Sequence, residues 1–306
     1  MKAHPGTAVP RQPDGKIEVV SSEVDVTHEL AAFLRTRRER LTPDELALPA
    51  SGRTRRTPGL RREEVAELAG VSVDYVVRLE QGRGLHPSPE VLEALARALR
   101  LTDDERAYLF DLAQQRPVTR PRPVDQDPGL LARLVHDLSP LPCMLLNHRF
   151  DILAWNAEMA GLLLDFAALP DEQRNSLWLC FLHPDFRDLF RDREQVLREG
   201  IADLRAAWAA HSSDAALDGL VTELTARSED FVRLWGMRDV KVNGRGHKRL
   251  RHPRVGPLTI DFEVLNPLQD PDQRLVIYRA ADAASQAALD AIARESTNGL
   301  RTLRAL

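Results

Sequence analysis

At 306 residues the chain is long enough for two domains, each with its own core. Its 43% hydrophobic and 29% charged residues describe an ordinary globular protein, and a net charge of −4 excludes one that coats nucleic acid through bulk positive charge. Any DNA contact must come from a local basic patch. No apolar run approaches the ~20 residues that cross a bilayer, and the N-terminus lacks a signal-peptide core.

Residues 1–24 are rich in Pro, Gly and small polar residues, so a flexible leader is expected. A helical domain over 25–115 follows. "THELAAFLRTRRERL" places Leu30, Phe33, Leu34 and Leu41 at helical spacing, with Thr27 as cap. A loop-like connector then carries Arg53, Arg55 and Arg56, joined by Arg61 and Arg62 at the next helix start, with no acid between 51 and 62. Helices are predicted over 61–69, 72–81 and 88–100, the last opened by Ser88, Pro89 and Glu90. A fifth starts at Thr102 with three acids in its first turn, where the helix dipole favours them.

The Pro-rich stretch "RPVTRPRPVDQDPG", residues 116–129, marks a linker. Beyond it, residues 130–281 read as an α+β domain. "PCMLLNHRFDILAWN" gives two strands around a turn at 148–151, and residues 157 to about 235 are mainly helical. Three strand-like runs follow, "VKVNGRGHKRLRHP", "GPLTIDFEVL" and "QRLVIYRA". That order fits a five-stranded antiparallel sheet with helices over one face. Residues 282–306 form an Ala-rich helical tail, whose role as a dimer helix or a frayed end stays open. Cys143 and Cys180 both sit among apolar residues and read as core thiols in a reducing cytoplasm. The 38 Arg against 4 Lys hint at a GC-rich bacterial genome.

"VAELAGVSVDYVVRLEQGRG" has the grammar of two helices meeting at a tight turn. Ala66 is small where the second helix crosses the first, Gly70 can take the positive φ of the turn, and Val71, Val76 and Leu79 point to the core. With its flanking helices this region resembles a lambda-repressor-like (XRE-type) helix-turn-helix domain. "RTPGLRREEVAELAGVSVDYVVRLEQGRG" and "PSPEVLEALARAL" resemble, more narrowly, the MmyB-like regulators of actinobacteria. The likeness continues through "DILAWN", "FAALPDEQRNSL", "FLHPDFRDL", "FVRLWGMRDV" and "HKRLRHPRVGPLTIDFEVL", covering about 26–280. It implies a five-helix DNA-binding domain followed by a PAS-like ligand-binding domain.

Such a unit divides affinity from specificity. Phosphate neutralisation falls to Arg53, Arg55, Arg56, Arg61, Arg62 and Arg83, and carries no sequence information. Base reading falls to Ser72, Val73, Asp74, Val77 and Arg78 at the start of the second helix of the motif. Asp74 can accept from a cytosine amine, Val73 or Val77 can meet a thymine methyl, and Arg78 can reach guanine or a phosphate. The connector "ASGRTRRTPG" is either a minor-groove arm or a solvated loop. Domains of this kind bind palindromic sites as two-fold dimers, so the expected partners are a double-stranded operator and a second copy of the chain.

In the second domain the resemblance implies an apolar small molecule, with fatty acid the leading candidate. Trp155, Trp178, Phe181, Trp208, Phe231 and Trp235 supply bulk, and Met144, Leu146, Ile260, Phe262 and Val264 are strand residues able to line a cavity. A carboxylate would need a cation from among Arg233, Lys248, Arg249 and His252. The family pattern often has a histidine where this chain has Arg238. No metal site is indicated: His247 and His252 lie five apart, on opposite faces of a strand. A haem- or flavin-binding PAS domain stays open as an alternative; no single axial haem histidine stands out, with His183 and His211 the candidates. No catalytic motif is present, so an enzyme is not expected. The competing reading is an adaptor whose helix-turn-helix and second domain serve protein contacts and oligomerisation.

Overall fold

The computed structural model describes residues 26–46, 59–83, 86–113 and 129–303, with side chains as far as 294. The leader, the arginines of the connector (Arg53, Arg55 and Arg56) and most of the Pro-rich linker lie outside the described residues. Five helices build the N-terminal domain: α1 (Val26–Arg40), α2 (Arg62–Ala69), α3 (Val73–Glu80), α4 (Pro89–Ala98) and α5 (Asp103–Leu112). Leu30, Phe33, Leu60, Val65, Val76, Leu92, Leu95 and Leu109 close its core. Local chemistry sets the ends of these helices. Thr102 and Glu105 form a capping box at α5, each accepting from the other's backbone N–H. Gly70 stands at φ 66° between α2 and α3, a left-handed conformation that disfavours side chains. Thr27, expected as a cap, lies inside the first turn of α1.

The second domain opens with α6 (Gly129–Asp137), β1 (Cys143–Asn147) and β2 (Ile152–Trp155). Six helices follow: α7 (Ala157–Leu162), α8 (Ser176–Leu182), α9 (Pro184–Arg187), α10 (Arg193–Ala210), α11 (Ala215–Arg227) and α12 (Glu229–Gly236). Strands β3 (Arg245–His252), β4 (Gly256–Leu265) and β5 (Gln273–Ala280) lead into α13 (Ala283–Leu303). The sheet is antiparallel throughout, in the order β2-β1-β5-β4-β3, a PAS-like arrangement. The first and last strands in sequence pair, with β5 at the centre of the sheet beside β1, Leu146 opposite Arg274 and Met144 opposite Val276.

Helices cover both faces of this sheet rather than one. Cys143, Leu145, Ala154 and Leu275 form a small second core with Val135 of α6, while Met144 and Leu146 face the main core. Consecutive apolar residues in "CMLL" supply both faces, the pattern of a strand buried on two sides. The tail segment from 282 packs as α13, with Leu289 and Ile292 buried and Ser285 accepting from the Thr259 N–H at 2.9 Å.

The domains meet along α10 and the segment after α12. Arg205 of α10 is fully buried and bonds Glu29 of α1. Around it, Arg40 pairs with Asp239 at 2.9 Å, Asp104 accepts from the Val242 N–H at 3.1 Å, and Arg37 and Arg40 donate to the carbonyls of Arg238 and Met237.

Candidate DNA interface and ligand cavity

Helix α3 presents its N-terminal end to solvent. Ser72 caps it, accepting from the Tyr75 N–H at 3.1 Å, so that its hydroxyl oxygen is already engaged and its O–H remains to donate. Val73, Asp74 and Arg78 are exposed, and Val77 is half-buried. Behind them Val76 and Leu79 are buried, and Glu80 ends the helix inside the domain. The Glu80 carboxylate receives Arg38 at 2.6 and 3.1 Å and Arg62 at 2.7 Å, while its carbonyl accepts from Arg35 at 2.6 Å. Arg62 is therefore held by an acid of α3, its guanidinium partly exposed beside the helix. Arg61 is half-buried, with its backbone N–H on Glu64 at 2.7 Å. Arg83 is exposed just past α3.

The cavity lies between the sheet and the helices above it, with a volume of about 120 Å³. Of the residues picked from the sequence, Met144, Leu146, Phe262 and Val264 line it. Phe150, Phe166, Phe186 and Phe190 supply the aromatic wall. The other aromatic candidates stand elsewhere. Trp155 meets Phe166 edge-on at 5.4 Å and lies behind the wall. Trp178 is engaged with Glu223, its Nε1 3.0 Å from Oε1. Phe181 packs edge-on against Phe231, and Phe231 stacks on Trp235 at 5.4 Å. Trp235 in turn carries the Arg205 guanidinium 3.9 Å from its ring centroid, so this aromatic group supports the domain junction. Trp208 is buried in the core with its indole on Asp218 at 2.7 Å. Ile260 is buried in the core but does not reach the cavity.

Among the candidate cations, Lys248 reaches the cavity. Arg233 is turned to the surface between Glu194 and Asp230, 2.7 and 3.1 Å away. Arg249 pairs with Asp192 at the surface, and His252 bonds the Gly161 carbonyl at 3.0 Å. Lys248 sits among the rings of Phe190, Phe262 and Tyr278, its Nζ 4.9 Å from the Phe262 centroid. It donates to the Tyr278 hydroxyl at 3.3 Å, and among the described residues no carboxylate lies within ion-pair distance. An ammonium has three donors, so two remain for a ligand. Burial penalises its charge, yet the Tyr278 hydroxyl that it bonds and the Glu199 carboxylate nearby favour the ammonium, and its pKa stands above the ordinary lysine value.

Six polar lining residues were missed from the sequence: Ser176, Glu199, Asp203, Asn243, Arg274 and Tyr278. Arg274 and Tyr278 share a strand face with Val276, and the period-two pattern of "RLVIY" carried that signal. Asp203 pairs with Arg274 at 2.9 Å; burial raises its pKa, and Arg274 pulls the other way. Asp203 Oδ1 and Asn243 Nδ2 are buried without a hydrogen-bond partner, an acceptor and a donor at the polar end. Arg238, at the position where the family often has a histidine, contacts the DNA-binding domain, with Nε 3.4 Å from Glu29.

A histidine pair lies outside this cavity. His148 and His211 stack at 4.0 Å beside Asp272 and Asp214, and ligand atoms of His148, His211 and Asp272 fall within 4.8 Å of one another. Stacked rings direct their nitrogen lone pairs side by side rather than toward one point, so sharing an ion requires a ring to turn. Burial pushes the Cys143 thiol up to about 12 and also raises Cys180, which keeps both thiols protonated. Among the described residues no helix is long and apolar enough to cross a membrane.

Two known domains match the chain. A helix-turn-helix domain matches residues 29–109, and the MmyB-like transcription regulator ligand binding domain matches residues 128–292. No curated protein matches. Both domains are regulatory rather than catalytic. Because the ligand-binding match spans more than half of the 306 residues and follows a helix-turn-helix unit, the chain belongs to the MmyB-like transcription regulators.

Proposed function

We propose that this regulator binds a specific operator as a two-fold dimer and responds to a fatty-acid-like anionic amphiphile in its second domain. The observation that carries the ligand reading is Lys248: a cation with no carboxylate partner among the described residues, set in a largely apolar cavity. A carboxylate there gains charge-assisted hydrogen bonds while its chain lies against the phenylalanine wall. At about 120 Å³ the cavity is small beside ordinary ligand sites of ~300–1,000 Å³. That size favours a medium-chain acid. In the first domain Asp74, Val73 and Arg78 read bases, helped by Val77 and Ser72. Arg62 and Arg83, with Arg61 and the connector arginines Arg53, Arg55 and Arg56, neutralise phosphates.

Mass spectrometry of organic extracts from the purified protein, with thermal shifts on adding decanoate, tests the ligand. Absence of any bound amphiphile together with no shift refutes it. Salt titration on a selected duplex tests the other half: a steep log–log slope is expected, and a flat one supports the adaptor reading. Arg55→Ala with Arg56→Ala should weaken binding to all sequences alike, whereas Asp74→Ala should change which sequences are preferred.

A further inference from the structure

Helix α10 has two working sides. Val196, Glu199, Gly200 and Asp203, spaced 3, 4 and 7 residues along, form one stripe that lines the cavity. Arg205 lies two residues beyond Asp203, about 200° around the helix, and so points the opposite way. There it is fully buried, bonding Glu29 of α1 and the Trp235 carbonyl. Glu29 also accepts from the Tyr108 hydroxyl of α5 at 3.1 Å and sits 3.4 Å from Arg238. Nine residues further along the same α1, Arg38 grips Glu80, the last residue of α3. Cavity wall, α10, α1 and α3 are thus joined by buried charge pairs through stiff helices.

Resting on the reading of the cavity as a ligand site, we propose that α10 is the transmission element of this regulator: filling the cavity displaces α10, and the Arg205–Glu29 pair passes that displacement to α1 and the helix it holds. Two observations favour movement at this joint. The buried Nε of Arg205 has no hydrogen bond, and those of Arg37 and Arg238 face Glu105 and Glu29 at 3.2 and 3.4 Å without hydrogen-bond alignment, so the charges of this junction are not locked by well-directed bonds. On the cavity side α10 lies close to α8: a Cβ on Gly200 would stand 2.9 Å from Leu177 Cδ2, so bulk added there must displace the Leu177 side chain or the helix that carries it.

A double-mutant cycle in the full chain tests the relay without a ligand. Gly200→Leu adds bulk from the α10 side, and Arg205→Met with Glu29→Gln removes the joint without stranding a fully buried side chain, Arg238 being in part exposed. DNA affinity is read by anisotropy on a selected duplex, and hydrogen exchange is followed over residues 26–40. Gly200→Leu is expected to shift the DNA Kd about fivefold or more in the intact protein, and less than about twofold once the joint is gone. Exchange over 26–40 should change in the first background alone. Equal responses in both backgrounds, or none in either, overturn the proposal. Gly200→Ala, read against the same Arg205→Met, Glu29→Gln background, forms a milder cycle with the same criterion should Gly200→Leu fail to fold. If no duplex is bound, the exchange arm decides. Coupling in the cycle with no response to decanoate upholds the relay and removes the ligand assignment; decanoate binding with an additive cycle does the reverse.

Discussion

Arg38 of α1 and Glu80 of α3 meet in a two-point ion pair, Nε to Oε1 at 2.6 Å and NH2 to Oε2 at 3.1 Å, both side chains more than nine-tenths buried. The helix that offers Asp74 and Arg78 to solvent is thus anchored at its other end by a charge inside the domain. Arg62 adds a third contact to the same carboxylate. The acid that ends "VVRLE" is a fastening for the helix, not a DNA contact.

Removing that acid strands Arg38 without its partner. Glu80→Ala should lower the stability of the DNA-binding domain by about 3–5 kcal/mol, the range for breaking one side of a buried pair. Guanidinium denaturation followed by circular dichroism measures it. A loss below about 1 kcal/mol would show the pair to be dispensable.

Lys248→Met keeps an aliphatic stem among Phe190, Phe262 and Tyr278 and removes the charge. Decanoate affinity should fall about tenfold or more, since a hydrogen bond to a charged group contributes about 1.5–3 kcal/mol. Decanol, which lacks the anion, should bind both proteins alike. Equal decanoate affinity in calorimetric titrations of the two proteins would place the carboxylate elsewhere.

Burial, then repulsion from His148, lowers the pKa of His211, against the pull of Asp272 and Asp214. The folded chain therefore takes up this proton less readily than the unfolded chain. The resulting stabilisation is complete above the ordinary histidine value near 6.5 and is lost as pH falls through the lower folded value. Between pH 7.5 and 5 the parent protein should lose stability more steeply than His211→Gln. Urea titrations at several pH values decide it, and parallel profiles would assign the pH dependence to other groups.

Much of this was readable beforehand, and the divide follows range in the chain. Helix starts at Ser72 and Thr102, the turn at Gly70 and the alternation in "LTIDFEV" are local signals, each complete within a few residues. Met144, Leu146, Phe262 and Val264 could be placed at the cavity because strand period assigns them a face. Phe231 and Trp235 could not, because bulk and hydrophobicity do not distinguish a ligand wall from a domain junction. Arg233 and Lys248 look alike as letters, and their neighbours decide: Glu194 and Asp230 claim the first, while the second is surrounded by aromatic rings.

The sequence by itself determined the division into a helical DNA-binding unit and an α+β domain, and the helix that faces solvent. Those follow from periodicity, capping and turn chemistry, which act between near neighbours. Only the tertiary structure decided which cation enters the cavity, that Arg62 is held by Glu80, and that Arg205 crosses between domains to Glu29. Each of those pairings joins residues at least 18 apart in sequence. Burial makes a charge seek a partner, but only the folded chain determines which one lies within reach.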